Sequence, residues 1–178
     1  MTWPELRFIA GPHTRNWGNA QRMEGIRAAR GRYLMFIDDD DAYRRDAFRN
    51  IRKAVASNPN RINVFQMDRL GSGVLWKDQE IRFANVGTPM FVIPNVAGRV
   101  GSWLTADRYE SDFDFVTECL QLQGQPVWHA IVIVDAPPLP LSYRIRAKLK
   151  LRRRLRALQR LGRPRSDGCQ SAGETSGD

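Results

Sequence analysis

Tyr33-Leu34-Met35-Phe36-Ile37-Asp38-Asp39-Asp40-Asp41 is a run of five apolar residues that leads straight into four carboxylates. The apolar half has the length and composition of a buried strand. The acidic half cannot serve a core, because adjacent negative charges repel one another and each is costly to take out of water. A buried strand that ends this way presents its acids to a cation, which predicts a divalent-metal site. The competing assignment is a solvated acidic turn in which one aspartate caps the next helix.

On the N-terminal side, Leu6 to Ala10 reads as a short strand turned by Gly11-Pro12. Residues 17 to 30 suit a helix, with Ala20, Met23, Ile26 and the aliphatic stem of Arg27 on one face and Gly31 as its stop. Strand, helix, strand implies two parallel strands and an α/β sheet. The carboxyl edge of such a sheet is where these folds place ligands. If strand alternation persists through the acidic run, Asp38 and Asp40 point the same way. Such a pair binds Mg²⁺ or Mn²⁺, which in turn clamps a diphosphate.

On the C-terminal side, Asp46 is placed to cap a helix running to about Ser57, with Phe48, Ile51 and Val55 on one face and Asn58-Pro59 ending it. Ile62 to Met67 is a further strand. Gly71-Ser72-Gly73 turns it back into Val74-Leu75-Trp76, and Ile81-Arg82-Phe83 adds another short strand, so this middle section is expected to be antiparallel. Pro89 to Ile93 is a short apolar strand, followed by a loop from Val96 to Glu110 that is longer than structural connections usually are. Asp112 to Leu122 is helical by pattern, with Phe113, Val116 and Leu120 on one face, Phe115 and Cys119 beside them, and Gly124 as the stop. Val127 to Val134 is the last strand. The proline-rich Ala136-Pro137-Pro138-Leu139-Pro140 marks a boundary. The expected layout is a domain over 1–136, a proline-rich linker with a basic amphipathic helix over 137–165, and a disordered tail over 166–178.

The chain has 178 residues, enough for one domain with a real core, and a formal net charge of +9. The charge is not spread evenly. Residues 144–165 hold eleven Lys and Arg and no acid, while 1–143 hold 17 basic against 16 acidic residues. The globular part is therefore close to neutral, which argues against nucleic acid as its partner and assigns the basicity to the tail. Two cysteines, Cys119 and Cys169, make no disulfide framework and suit a reducing compartment. No apolar run approaches the roughly 18 residues of a membrane span, and Met1 to Glu5 lacks a signal-peptide core. A cytoplasmic chain, at most peripheral to a membrane, is the expectation.

The segment Asn19-Ala20-Gln21-Arg22-Met23-Glu24-Gly25-Ile26-Arg27-Ala28-Ala29-Arg30-Gly31-Arg32-Tyr33, continuing through the strand to Asp41, resembles the nucleotide-sugar half of inverting glycosyltransferases of family 2, which have the GT-A fold. In that family an Arg-rich helix with an internal Gly-Ile leads through Ala-x-Gly-x-Tyr into an apolar strand ending in a DxD motif. Downstream, Arg99-Val100-Gly101-Ser102-Trp103 and Glu110-Ser111-Asp112-Phe113-Asp114-Phe115 look like its glycine-containing acceptor loop and its Glu-Asp helix start. The resemblance implies a Rossmann-like mixed sheet flanked by helices. It implies transfer of a sugar from a nucleoside diphosphate donor to a hydroxyl of a glycan, lipid or protein, with Mn²⁺ or Mg²⁺.

Carried onto this chain, Asp38 and Asp40 match the DxD pair that touches the ribose and the metal-diphosphate. Asp39 falls on the donor side and Asp41 matches a frequent additional acid on the metal side. Arg22 matches the helix arginine, although the Asn that usually follows it is Met23 here. Asp112 matches the catalytic base, although the Glu that precedes it in the family is replaced by Ser111, and Asp114 competes for that role. The bland alternative for Asp112 is an acid favoured by a helix N-terminus. His129 is a candidate third metal ligand, against a hydrogen-bonded core histidine. Trp103 is a candidate acceptor platform, against local packing.

The similarity covers about residues 6 to 135 and starts in mid-domain. The family's first strand, with its Pro-Thr-x-Asn pattern, and its second, ending in Asp-Asp-Gly-Ser, have no counterpart before Leu6. An N-terminally truncated domain, and with it an inactive fragment, is therefore one expectation. A nucleotidyltransferase also uses paired aspartates, but its glycine-rich phosphate loop with a Lys or Arg near the first strand is not seen. The non-enzymatic rival is a basic module that grips a membrane or nucleic acid through the tail. Leu151, Leu155, Leu158 and Leu161 recur at helical spacing among arginines there, and residues 144–163 suit an anionic membrane surface. The rival assignment docks those leucines on the domain. If the tail binds membranes, a chain lacking residues 144–178 will keep its circular-dichroism spectrum and lose sedimentation with anionic liposomes.

Overall fold

The computed structural model describes residues 8–9, 11, 17–82, 84–105 and 111–138. All belong to the unit Met1–Pro138. The expected strand at Leu6 to Ala10 and the basic helix and tail beyond Pro138 lie outside the described residues.

Helix α1 is Asn19–Ala28, strand β1 Tyr33–Leu34, β2 Ala42–Tyr43 and α2 Ala47–Ser57. They are followed by β3 Asn63–Arg69, β4 Gly73–Leu75, a 3-10 turn Thr88–Met90, β5 Phe91–Pro94, α3 Ser111–Gln123 and β6 Val127–Ala136. The six strands form one mixed sheet in the order β1-β5-β3-β6-β2, with β4 also on β3. The α/β mixed sheet with flanking helices has the GT-A character expected from the sequence.

β3 is the hub of the sheet. One edge runs parallel to β6; the other pairs with β5 at Asn63 and Val64 and with β4 at Met67, Asp68 and Arg69. The hairpin read from Gly71-Ser72-Gly73 is thus present. Asn63, Val64, Phe65 and Met67 of β3 and all of β5 are buried, as continuous apolar runs in a two-sided central sheet must be. α2 covers β6 through Ala47, Ile51 and Ala54. Phe48, expected on that face, is exposed and packs on Tyr43 at 5.3 Å between ring centroids. α3 buries Phe115, Val116 and Cys119, so its inner face is turned from the expected Phe113-Val116-Leu120 line.

Three further expectations change. β1 covers only the first two residues of the predicted Tyr33–Ile37 strand: it pairs with β5 through Leu34, after which the Phe36 carbonyl accepts a hydrogen bond from the Tyr43 hydroxyl (3.2 Å). Ile81 and Arg82 form no strand. Their segment wraps around the buried Asn85, whose amide donates to Asp78 and to the Glu80 carbonyl and accepts from the Lys77 N–H. β2 is an added strand, registered on β6 and fixed by Arg44, which bonds Asp135 (2.9 Å) and Asp68 (3.2 Å).

The segment after β5 is strapped to α3. The Arg99 guanidinium donates to the Leu122 carbonyl (2.7 Å), the Gly101 N–H to Cys119 Sγ (3.2 Å) and the Ser102 N–H to Glu118 (2.8 Å). Gly101 is required by closeness: a Cβ there would lie 2.7 Å from the Phe115 carbonyl oxygen and 3.0 Å from Glu118 Cβ. Backbone cannot retreat as a side chain can, so Gly101→Ala will cost about 1–3 kcal/mol as overpacking. Thermal unfolding will show a drop of about 2–4 °C per kcal/mol.

Candidate active site

The four aspartates follow β1 and precede β2. They form a turn, with the Asp41 N–H bonded to the Asp38 carbonyl (3.2 Å). Strand alternation therefore ends before the run and does not turn Asp38 and Asp40 the same way. Asp38 and Asp41 are half-buried, and Asp39 and Asp40 reach solvent.

Arg22 of α1 forms an ion pair with Asp38. The same guanidinium donates to the Trp17 carbonyl (2.7 Å) and lies over the Trp103 indole, 4.8 Å from its centroid. Trp103 is 2% exposed and stacks on Phe115 (4.5 Å), with Phe36 edge-on to both rings. The indole is thus already engaged on the protein side, which leaves no open face for an acceptor sugar. It serves as the floor under Arg22. An exposed pair is worth at most about 1 kcal/mol, whereas each buried ring contributes about 1.5–3 kcal/mol. The aromatic cluster therefore anchors the site, and the ion pair orients it.

Asp112 is in the first turn of α3, where its Oδ1 accepts the Phe113 N–H (2.8 Å). The adjacent Ser111 hydroxyl donates to Asn19 Oδ1 (3.0 Å), and both residues are buried. This bond ties the start of α3 to the start of α1 and brings Asp112 within electrostatic reach of Arg22, Asp38 and Arg69. Burial pushes the Asp112 carboxyl up to about 6; the Phe113 N–H, Arg22 and Arg69 pull it down, and Asp38 pushes it up. Asp41 is likewise raised to about 6, by burial and then by Asp38 and Asp40, with Arg69 opposing. Asp114 is two residues further along the helix, about 200° around its axis, and so faces away from Asp112.

His129 is elsewhere. It sits early in β6, with Nε2 2.8 Å from Asn63 Oδ1 and its ring stacked on Phe65 (4.7 Å). Burial lowers its proton affinity. Asn63 precedes Arg69 by six residues of β3, about 20 Å of extended chain, so the histidine is at the opposite end of the sheet from the aspartates. It is a half-buried histidine hydrogen-bonded to Asn63, and the fold does not bring it together with the acidic run.

Arg69, absent from the sequence assignments, is the residue the fold adds. Its signal was its parity in the strand, since Asn63, Phe65, Met67 and Arg69 alternate onto one face and a charge in such a row needs a partner. Among the described residues no group of three or more His, Cys, Asp and Glu side chains forms a ready metal cage. The hard oxygens of Asp40 and Asp41 nonetheless suit Mg²⁺ or Mn²⁺, ions that commonly take one or two carboxylates and complete their shell with water and substrate phosphate.

The family model described as glycosyl transferase family 2 matches residues 2–106. A protein of Haemophilus influenzae named an uncharacterized glycosyltransferase is 25% identical over 123 residues, which cover 60% of this chain and 42% of that protein. The chain thus spans less than half the length of that curated relative. No solved structure matches.

With a proton affinity raised from 3.8 to about 6 in the fold, ionised Asp112 opposes folding above about pH 6, and this cost disappears below about pH 4. Asp112→Asn will therefore melt a few degrees above the parent at pH 7.5, and the gap will close as the pH falls toward 4 in a thermal-unfolding series. A gap independent of pH would show that the carboxylate is not strained by burial.

Proposed function

The chain belongs to glycosyl transferase family 2, and from that premise we propose that the Asp38–Asp41 turn, Arg22 and Asp112 form a site that moves a sugar from a nucleoside diphosphate to an acceptor hydroxyl with inversion. The observation that carries this is the placement of Asp112. A carboxylate with a proton affinity near neutrality is held by α1 and α3 beside the acidic turn, yet comes from a different part of the chain.

Inverting transfer needs two things on opposite sides of the anomeric carbon. One is a base for the incoming hydroxyl, and the other is a place for the departing diphosphate. Asp112 supplies the first. Its Oδ1 is fixed by the Phe113 N–H, and the carboxylate takes the proton from the acceptor hydroxyl as that oxygen bonds to the anomeric carbon. The bond from that carbon to the phosphate oxygen breaks, and its electron pair leaves with the nucleoside diphosphate. A base raised to about 6 is mostly ionised at neutral pH and still basic enough to accept the proton. Arg22 orients Asp38 toward the donor while its own charge helps keep Asp112 ionised.

Asp40 and Asp41 are the residues that would hold Mn²⁺ or Mg²⁺, which would supply positive charge to the diphosphate. Asp39, exposed beside them, is on the donor side. Asp114 shares the first turn of α3 and is the second choice for the base. For the basic segment 144–163, a place on an anionic membrane surface of the cytoplasm remains part of this proposal.

Titration of the full chain with UDP in the presence of Mn²⁺ will give metal-dependent heat in a calorimeter. Asp40→Ala will abolish it while leaving the thermal transition within a few degrees of the parent. Heat that is the same with and without Mn²⁺ would sink the metal-dependent donor site.

A further inference from the structure

The sheet register fixes the surroundings of Arg69. Arg69 is opposite Ala136 of β6, and Ala42 of β2 is opposite Asp135. Carrying the antiparallel β2–β6 register back one residue sets Asp41 beside Ala136. Asp41, directly before β2, thus comes next to the Ala136–Arg69 pair, within electrostatic reach of Arg69. Strands are about 4.8 Å apart, so the outer two backbones are about 10 Å apart with only a methyl group between them. A long arginine and a short aspartate can meet over that gap.

The neighbouring row, Ala42, Asp135 and Asp68, faces the other way and is closed by Arg44, which bonds both acids. On the Arg69 face no such closure is present among the described residues. Its Nε is buried and has no hydrogen-bond partner. A charged donor held away from water without an acceptor is costly, and a ligand oxygen that accepts from it removes that cost. Arg22, the other guanidinium of the site, is already committed to Asp38, the Trp17 carbonyl and Trp103. Arg69 also lowers the proton affinity of both Asp41 and Asp112, so its charge is felt on both sides of the site.

We propose that Arg69 is the anion-binding arginine of this site, and that its free Nε–H, held over Ala136 beside Asp41, takes a phosphoryl oxygen of the nucleoside diphosphate. The assignment rests on the donor reading above. It gives Ala136 a role as well, since a larger side chain there would push the guanidinium off its row. A diphosphate entering a turn of four aspartates needs a fixed protein cation as well as any metal. Among the described residues, Arg69 is a cation whose Nε–H has no partner.

The test is calorimetry on the full 178-residue chain with Mn²⁺ alone, Mn²⁺ with inorganic pyrophosphate, and Mn²⁺ with UDP. Arg69→Met, which keeps the aliphatic stem, will weaken both phosphate ligands tenfold or more at saturating Mn²⁺, the Mn²⁺-alone titration of each variant setting that concentration. Arg69→Lys, which keeps the charge and loses the Nε donor, will weaken them by about three- to tenfold. Ala136→Leu, which removes no charge, will weaken them as well. A folded Arg69→Met chain that binds Mn²⁺-pyrophosphate as tightly as the parent overturns the assignment. Should the Met variant not fold, undiminished affinity in Arg69→Lys overturns it instead. A parent that binds neither phosphate ligand removes the donor reading and this one with it, whereas a binding parent matched by its Arg69 variants removes only the role of Arg69.

Discussion

The Ser111–Asn19 hydrogen bond, buried at the meeting of two helix starts, is the constraint on which the site depends. α1 carries Arg22 and α3 carries Asp112, and about ninety residues of chain separate them. A neutral hydroxyl-to-amide bond contributes only about 1 kcal/mol to stability. Its importance is positional. Each helix is packed on the core by its own apolar face, and the bond fixes how their ends meet. Because Arg22 is locked to Asp38, fixing that corner also fixes where the acidic turn stands relative to Asp112.

The charges around this corner are arranged unequally. Asp38 and Asp112 share Arg22, Asp41 and Asp112 share Arg69, and Asp40 reaches solvent. Burial outweighs these arginines, so Asp41 and Asp112 hold their protons more tightly than carboxylates in water do. Burial is the largest cause for both. Asp38 and Asp40 push Asp41 up further, whereas Asp112 lies on a helix that offers it a backbone N–H. Closely spaced acids on a solvent-facing turn suit a cation, while a buried acid with one fixed oxygen suits proton transfer.

Much of the architecture was legible because it is written in local pattern. β3, the hairpin into β4, α2, α3 and β6 each carry apolar periodicity bounded by glycine, proline or a cap, and all lie within a few residues of where the sequence puts them. β2 was not legible. Two residues directly after four aspartates have no periodicity, and they are a strand only because β6 extends far enough to pair with them. The buried face of α3 was misjudged because apolar residues at 113, 115, 116, 119 and 120 permit more than one stripe, and the loop at Gly101 selects among them. At the site, the aspartate run and Arg22 were visible as a charged motif. Trp103 was not, since an aromatic residue in a loop reads the same whether it faces a ligand or a core. Arg69 required knowledge of register across three strands, which no single stretch of sequence contains.

The strapping of residues 99–102 onto α3 has a mechanical consequence. The loop is joined to Glu118, Cys119 and Leu122, spread along the outer turns of the helix, and Gly101 sits flush against the helix backbone. Loop and helix therefore behave as one lever. Residues 99–102 cannot leave α3 without breaking these three hydrogen bonds, so the loop and Asp112 at the start of the helix keep a fixed relation.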